Sequence, residues 1–85
     1  MGRETMTANV SCTVSDGLMP DEKIAQIETA DGKSEVVAVS KKNIQNNRLM
    51  AFEIGRSEGK VLVELPREST TGRWRIWVKE SAIGG

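Results

Sequence analysis

Residues 60–79 read KVLVELPRESTTGRWRIWVK. Val61, Val63 and Leu65 alternate with Leu62 and Glu64, and Trp74, Ile76 and Val78 alternate with Arg73, Arg75, Trp77 and Lys79, the period of two expected of half-buried strands. Pro66 ends the first run, and Ser69, Thr70, Thr71 and Gly72 supply turn-forming residues before the second. The apolar faces set the register, because a slip of one residue would turn every apolar side chain outward. With residues 68–71 as the loop, Arg67 faces Gly72, Leu65 faces Trp74, Val63 faces Ile76 and Val61 faces Val78. The same register sets Glu64 opposite Arg75 and Leu62 opposite Trp77 on the other face.

Upstream, residues 48–56, RLMAFEIGR, alternate Met50, Phe52 and Ile54 against Leu49, Ala51 and Glu53, and turn at Ser57, Glu58 and Gly59. Residues 41–47, KKNIQNN, read as a connection with one 3₁₀ turn, with Ile44 as a plug into the core. Before them, residues 22–30 and 33–40 flank Asp31 and Gly32, a two-residue loop of the kind a type I′ hairpin prefers. Closure there pairs Ala30 with Lys33, Ile27 with Val36, Gln26 with Val37, Ala25 with Ala38 and Ile24 with Val39. Both faces of that hairpin are then partly apolar, so it needs cover on two sides or presents one face to a partner. Residues 5–14, TMTANVSCTV, put Met6, Ala8, Val10, Cys12 and Val14 on one face of a single strand. Ser15, Asp16 and Gly17 break it, and Pro20 lies in the loop that follows.

Six strands joined by turns, with no helical periodicity, predict an all-β fold: an antiparallel meander closing into a small SH3-like barrel or a compact two-sheet sandwich. Closure is expected because an open sheet of this size would leave long unpaired edges. Residues 1–85 are expected to form one domain, frayed at residues 1–3 and 82–85.

Composition narrows the chemistry. The 85 residues contain 12 Lys and Arg against 12 Asp and Glu, one Cys and no His. A triad that uses His and a zinc site of the Cys/His kind are thereby excluded. Cys12 has no partner for an intramolecular disulfide and reads as a small core residue. A domain of this length buries only about 60–65% of the surface its unfolded chain exposes, so a partner subunit would help it. Asp16, Asp21, Glu22 and Asp31 sit at turns without a calcium-loop pattern, and no glycine-rich phosphate cradle is present. No metal, cofactor or small-molecule substrate is therefore expected. Glu53 and Glu64 could approach each other across strands, but a small closed fold offers no pocket for acid–base work, so an enzyme is not expected. No run approaches the length of a membrane span and no apolar signal region opens the chain, so a cytoplasmic location away from membranes is expected.

Residues 1–42 carry a net charge of −2 and residues 43–85 one of +2, with cations gathered on the last strand. There Arg73, Arg75 and Lys79 surround Trp77, with Leu62 opposite. Three readings suit this group. It packs on itself, Trp77 on Leu62 and Arg75 with Glu64; or it anchors a protein, since Trp and Arg dominate binding hot spots; or it stacks and neutralises a single-stranded nucleic acid. The last is disfavoured by the small number of aromatic residues, Trp74, Trp77 and Phe52, two of which the expected register buries. The expectation is a non-catalytic interaction module that binds a protein partner or itself, through Trp77 or by strand addition at an open edge. Weak single-stranded nucleic-acid binding by the same face is the alternative.

Overall fold

The alternation of residues 6–14 makes two strands rather than one. In the computed structural model, which describes residues 6–84, β1 (Met6–Ser11) and β2 (Thr13–Asp16) belong to different sheets, and Cys12 is the corner between them. Ala8 and Val10 are buried as expected, but Met6 is 60% exposed, and Cys12 and Val14 are half-buried. The Cys12 N–H donates to the Asn47 carbonyl at 3.1 Å, which fixes the corner. A strand that crosses from one sheet to its packed neighbour keeps the same inward alternation, so periodicity could not reveal the break. Thr5 and residues 1–3 lie outside the described residues.

The chain continues through β3 (Glu22–Glu28), β4 (Ser34–Ser40), a 3₁₀ turn at Lys41–Asn43, β5 (Ile44–Gln45), β6 (Arg48–Ser57), β7 (Lys60–Glu64) and β8 (Arg75–Lys79). A second 3₁₀ turn, Glu80–Ala82, leads to β9 (Ile83–Gly84). The larger sheet has the order β8-β7-β6-β1-β9, with β5 also on β6, and the smaller has the order β2-β3-β4; every pairing is antiparallel. The fold is thus all-β with two sheets. Neither sheet closes on itself. Loop residues tie one sheet to an edge strand of the other, with Ala30 N–H on the Trp77 carbonyl of β8 and Thr70 N–H on the Val36 carbonyl of β4, each 2.8 Å. One core lies between the sheets, with Val10, Leu49, Val61, Val63 and Val78 from the larger and Ala25, Ile27, Val37 and Val39 from the smaller. Ile44 packs against it as the expected plug. Among the described residues no helix is long and apolar enough to cross a membrane.

The β3–β4 hairpin departs from the expected register by one residue. Ile27 faces Glu35, Ala25 faces Val37 and Ile24 faces Ala38. The cause is a three-residue loop, closed by Thr29 N–H on the Lys33 carbonyl at 2.8 Å and by Gly32 N–H on the Thr29 carbonyl at 3.0 Å. Gly32 takes the left-handed conformation, φ 84°, that this kind of bulged turn requires. The slip places Ala25, Ile27, Val37 and Val39 together on the buried face, leaving Ile24, Val36 and Ala38 half-buried on the other.

On β6 the buried residues are Leu49 and Ala51, while Met50 and Ile54 are exposed and Phe52 is half-buried. The β7–β8 register is the expected one: Val61 faces Val78, Val63 faces Ile76, Leu62 faces Trp77 and Glu64 faces Arg75. Trp74, expected in the core opposite Leu65, is instead 50% exposed. The ladder stops at Glu64 and Arg75, so Trp74 lies past its last rung, although the Leu65 N–H still donates to the Trp74 carbonyl at 2.8 Å. Within the segment expected to fray, Ile83 and Gly84 pair with Val10 and Asn9 and cover an edge of β1, and Gly85 lies outside the described residues. A Cβ at Gly84 would meet only the guanidinium end of the exposed Arg48 side chain, which can swing aside.

Candidate interaction surface

Alternation along each strand decides what the outer face of the larger sheet presents. From β8 come Arg75, Trp77 and Lys79, from β7 Lys60, Leu62 and Glu64, and from β6 Met50 and Phe52. Trp77 is 40% exposed and stands opposite the half-buried Leu62. On its other side Leu62 faces Gly55, which lacks a side chain and follows a break in register after Glu53. Leu62 and Trp77 thus form one apolar rung with Gly55, while Phe52, diagonal to Leu62, shares the next rung with Glu64 and Arg75.

The charge that borders this rung is mostly cationic. Arg75 Nε stands 3.9 Å from the Glu64 carboxylate, a loose pair, and Lys60 faces Lys79. Among the described residues neither lysine forms an ion pair. Trp77, Leu62, Arg75 and Lys79 thus share one face, as expected. Arg73 does not: it lies in the turn before β8, with its Nε 3.5 Å from Glu35.

Arg73 belongs instead to a cleft of about 330 Å³ between the β3–β4 turn and β8, which Arg75 and Trp77 also line. Lys33, Lys60, Asp31 and Glu35 complete its charged lining. Apart from Lys60, these residues come from the β3–β4 hairpin. Nothing in the sequence links that hairpin to β8; the bond from Ala30 N–H to the Trp77 carbonyl does.

The two carboxylates of the cleft are occupied by their own surroundings. Glu35 Oε1 accepts from the Thr71 hydroxyl at 2.6 Å and the Ser69 hydroxyl at 2.8 Å. Chiefly the Thr71 bond, then that of Ser69 and the charge of Arg73, hold its carboxyl below the usual glutamate range against the opposing effect of burial. Asp31 accepts from the Thr29 hydroxyl and from the Lys33 N–H, and these bonds lower its pKa likewise. Ser69, buried, also accepts from the Arg73 N–H at 3.1 Å, so residues 69–73 are latched onto β4.

The other candidates separate. Glu53 faces Val63 and Glu64 faces Phe52, so adjacent rungs place the two carboxylates on opposite faces of the sheet. Glu53 is bound by Arg56 at 2.6 and 3.1 Å, which lowers its pKa, and Arg56 also holds Glu80 at 2.6 Å. Burial raises the pKa of the Cys12 thiol, the opposite of what a reactive cysteine needs. Set against family models, curated proteins and solved structures, the chain matches none of them.

Proposed function

We propose that the protein is a non-catalytic interaction module whose outer β6–β8 face receives an acidic segment of a protein partner. An apolar side chain of that segment rests on Trp77 and Leu62, and its acidic groups meet Arg75, Lys60 and Lys79. The observation that carries this reading is a half-exposed Trp backed by Leu62 and bordered by lysines that form no ion pair among the described residues. Such an aromatic anchor within a charged rim is the arrangement in which a few residues supply most of a binding energy. Charge complementarity favours an acidic partner over a second copy, since two copies meeting through this face across a two-fold axis would oppose like charges.

A second reading, single-stranded nucleic acid, draws support from the presence of Phe52 and Trp77 on one face. It is weaker because Lys33, Lys60, Arg73 and Arg75 gather around one cleft instead of lining a track along which a polymer backbone could run.

The test uses a Trp74→Phe background, so that emission reports Trp77 alone. It is titrated with a capped pentapeptide of four glutamates around one phenylalanine, with the lysine counterpart, and with a ten-nucleotide oligothymidylate. The acidic peptide is expected to change the emission saturably and the basic one not. Trp77→Ala, followed by chemical-shift changes in the amides of residues 60–64, is expected to weaken binding about tenfold or more. Equal response to both peptides would overturn the reading, and tighter binding of the oligonucleotide would replace it with the second.

A further inference from the structure

The cleft beside Trp77 has a composition that the sheet face alone does not explain. Four cations, Lys33, Lys60, Arg73 and Arg75, line it together with two carboxylates, Asp31 and Glu35. The lining alone is thus left with two positive charges, the amount a phosphate dianion neutralises and a single carboxylate does not, while Glu64 stands outside it, 3.9 Å from Arg75. The carboxylates are not aimed at a ligand in competition with the cations. Glu35 is held by Ser69, Thr71 and Arg73, and Asp31 by Thr29 and the Lys33 N–H. Arg73 is held by Glu35 at 3.5 Å, and Arg75 only loosely by Glu64 at 3.9 Å, so Lys33, Lys60 and Arg75, from three different strands or turns, are the lining cations open to an anion.

Size and lining restrict the rest of the ligand. A volume of about 330 Å³ lies at the small end of the range for small-molecule sites, roughly 300–1,000 Å³. It exceeds what a bare phosphate needs and suits one ring in addition. Trp77 provides the aromatic part of the wall, against which a ring can stack, with Ala30 beside it.

We propose that this cleft binds an aryl monophosphate, a single aromatic ring bearing a doubly charged phosphate, with the ring against Trp77 and the phosphate among Lys33, Lys60 and Arg75. This deepens the reading above, on which it rests for the view that Trp77 is a contact residue. The chemistry has two sources, a phosphorylated tyrosine within an acidic partner segment or a free aryl phosphate.

Amide chemical shifts of the full chain are followed during titration with phenyl phosphate, with inorganic phosphate, and with a capped acidic pentapeptide carrying phosphotyrosine. Phenyl phosphate is expected to saturate shifts in residues 29–33 and 73–77 and to bind at least tenfold more tightly than inorganic phosphate. Lys33→Ala and Lys60→Ala, both at exposed positions and so compatible with folding, are each expected to weaken it about tenfold, the loss of one charge-assisted hydrogen bond. Tighter binding of the phosphopeptide than of phenyl phosphate supports the site and assigns its source to a partner segment; equal binding supports the site and assigns it to a free ligand. Equal affinity for phenyl and inorganic phosphate, absence of saturation, or indifference to both lysine substitutions overturns the proposal. Phenyl phosphate carries no peptide segment, so its failure removes the cleft without touching the sheet face, whereas failure of the unphosphorylated acidic peptide removes the face alone.

Discussion

Leu49 and Trp77 show how differently two large apolar residues serve the same sheet. Leu49 is fully buried between the sheets, and Trp77 keeps 40% of its surface in solvent. Truncating Leu49 to Ala leaves a cavity that close-packed neighbours only partly fill, so a loss of about 2–5 kcal/mol is expected. Trp77→Ala removes the cross-strand contact with Leu62 and the covered part of a ring that is already 40% exposed, so a smaller loss, about 1–2 kcal/mol, is expected. Urea unfolding of both variants checks the contrast: a Trp77→Ala loss as large as that of Leu49→Ala would mean that Trp77 is a core residue and not a contact surface. The sequence set both residues in alternating strands. It could not say that the inward side of β6 is the side of Leu49 and Ala51, because Met50, Phe52 and Ile54 are the bulkier set and would have suited a core equally well.

At the scale of the element, turns determine register. The β6–β7 hairpin has a two-residue turn in which Glu58 and Gly59 both adopt positive φ, 50° and 81°. Gly tolerates this conformation, whereas Glu is strained there by its Cβ. Glu58→Asn, which supplies the residue type that a type I′ turn prefers, is expected to stabilise the protein by about 1 kcal/mol. A raised urea midpoint with unchanged slope is the measurement, and no change would show that the strain is relieved elsewhere. At the β5–β6 turn the chain already has Asn46 and Asn47 at φ 54° and 59°, and there the adjacent asparagines marked the turn correctly. Asp31 and Gly32 marked theirs as well. They did not disclose the extra loop residue, which rests on the Thr29 to Lys33 closure, so the register of β3 and β4 came out one residue away.

Acid sensitivity belongs to the whole molecule, since bonded carboxylates are spread over both sheets. Glu35 joins β4 to residues 69–73, Glu53 holds Arg56, and Asp16 holds Lys23 across β2 and β3. In each the carboxyl pKa is lowered, by hydrogen bonds from Thr71, Arg56 and Lys23 respectively, so the folded protein binds fewer protons than the unfolded chain. Their contribution is complete above the unfolded carboxylate pKa, about 4, and disappears as the pH falls through the lower folded values. The urea midpoint is therefore expected to be flat between about pH 5 and 7 and to fall below about pH 4. Glu35→Gln should lower the neutral-pH midpoint and flatten the fall; an unaltered profile would show that the latch on β4 contributes nothing to stability.

Period-two alternation and turn chemistry were sufficient, from the sequence alone, for the all-β class, the β7–β8 register and the placement of Arg75, Trp77 and Lys79 on one face with Leu62. These depend on neighbours a few residues apart, whose side chains are forced to alternate by the pleat. The tertiary structure alone decided that the first strand divides at Cys12 between two sheets, that residues 83–84 return to pair with β1, and that Lys33 and Glu35 come to stand beside Arg73 and Trp77. The physical reason is the same in each case: alternation records which side of a strand is buried but not which distant strand buries it, and edge pairing and packing make that choice.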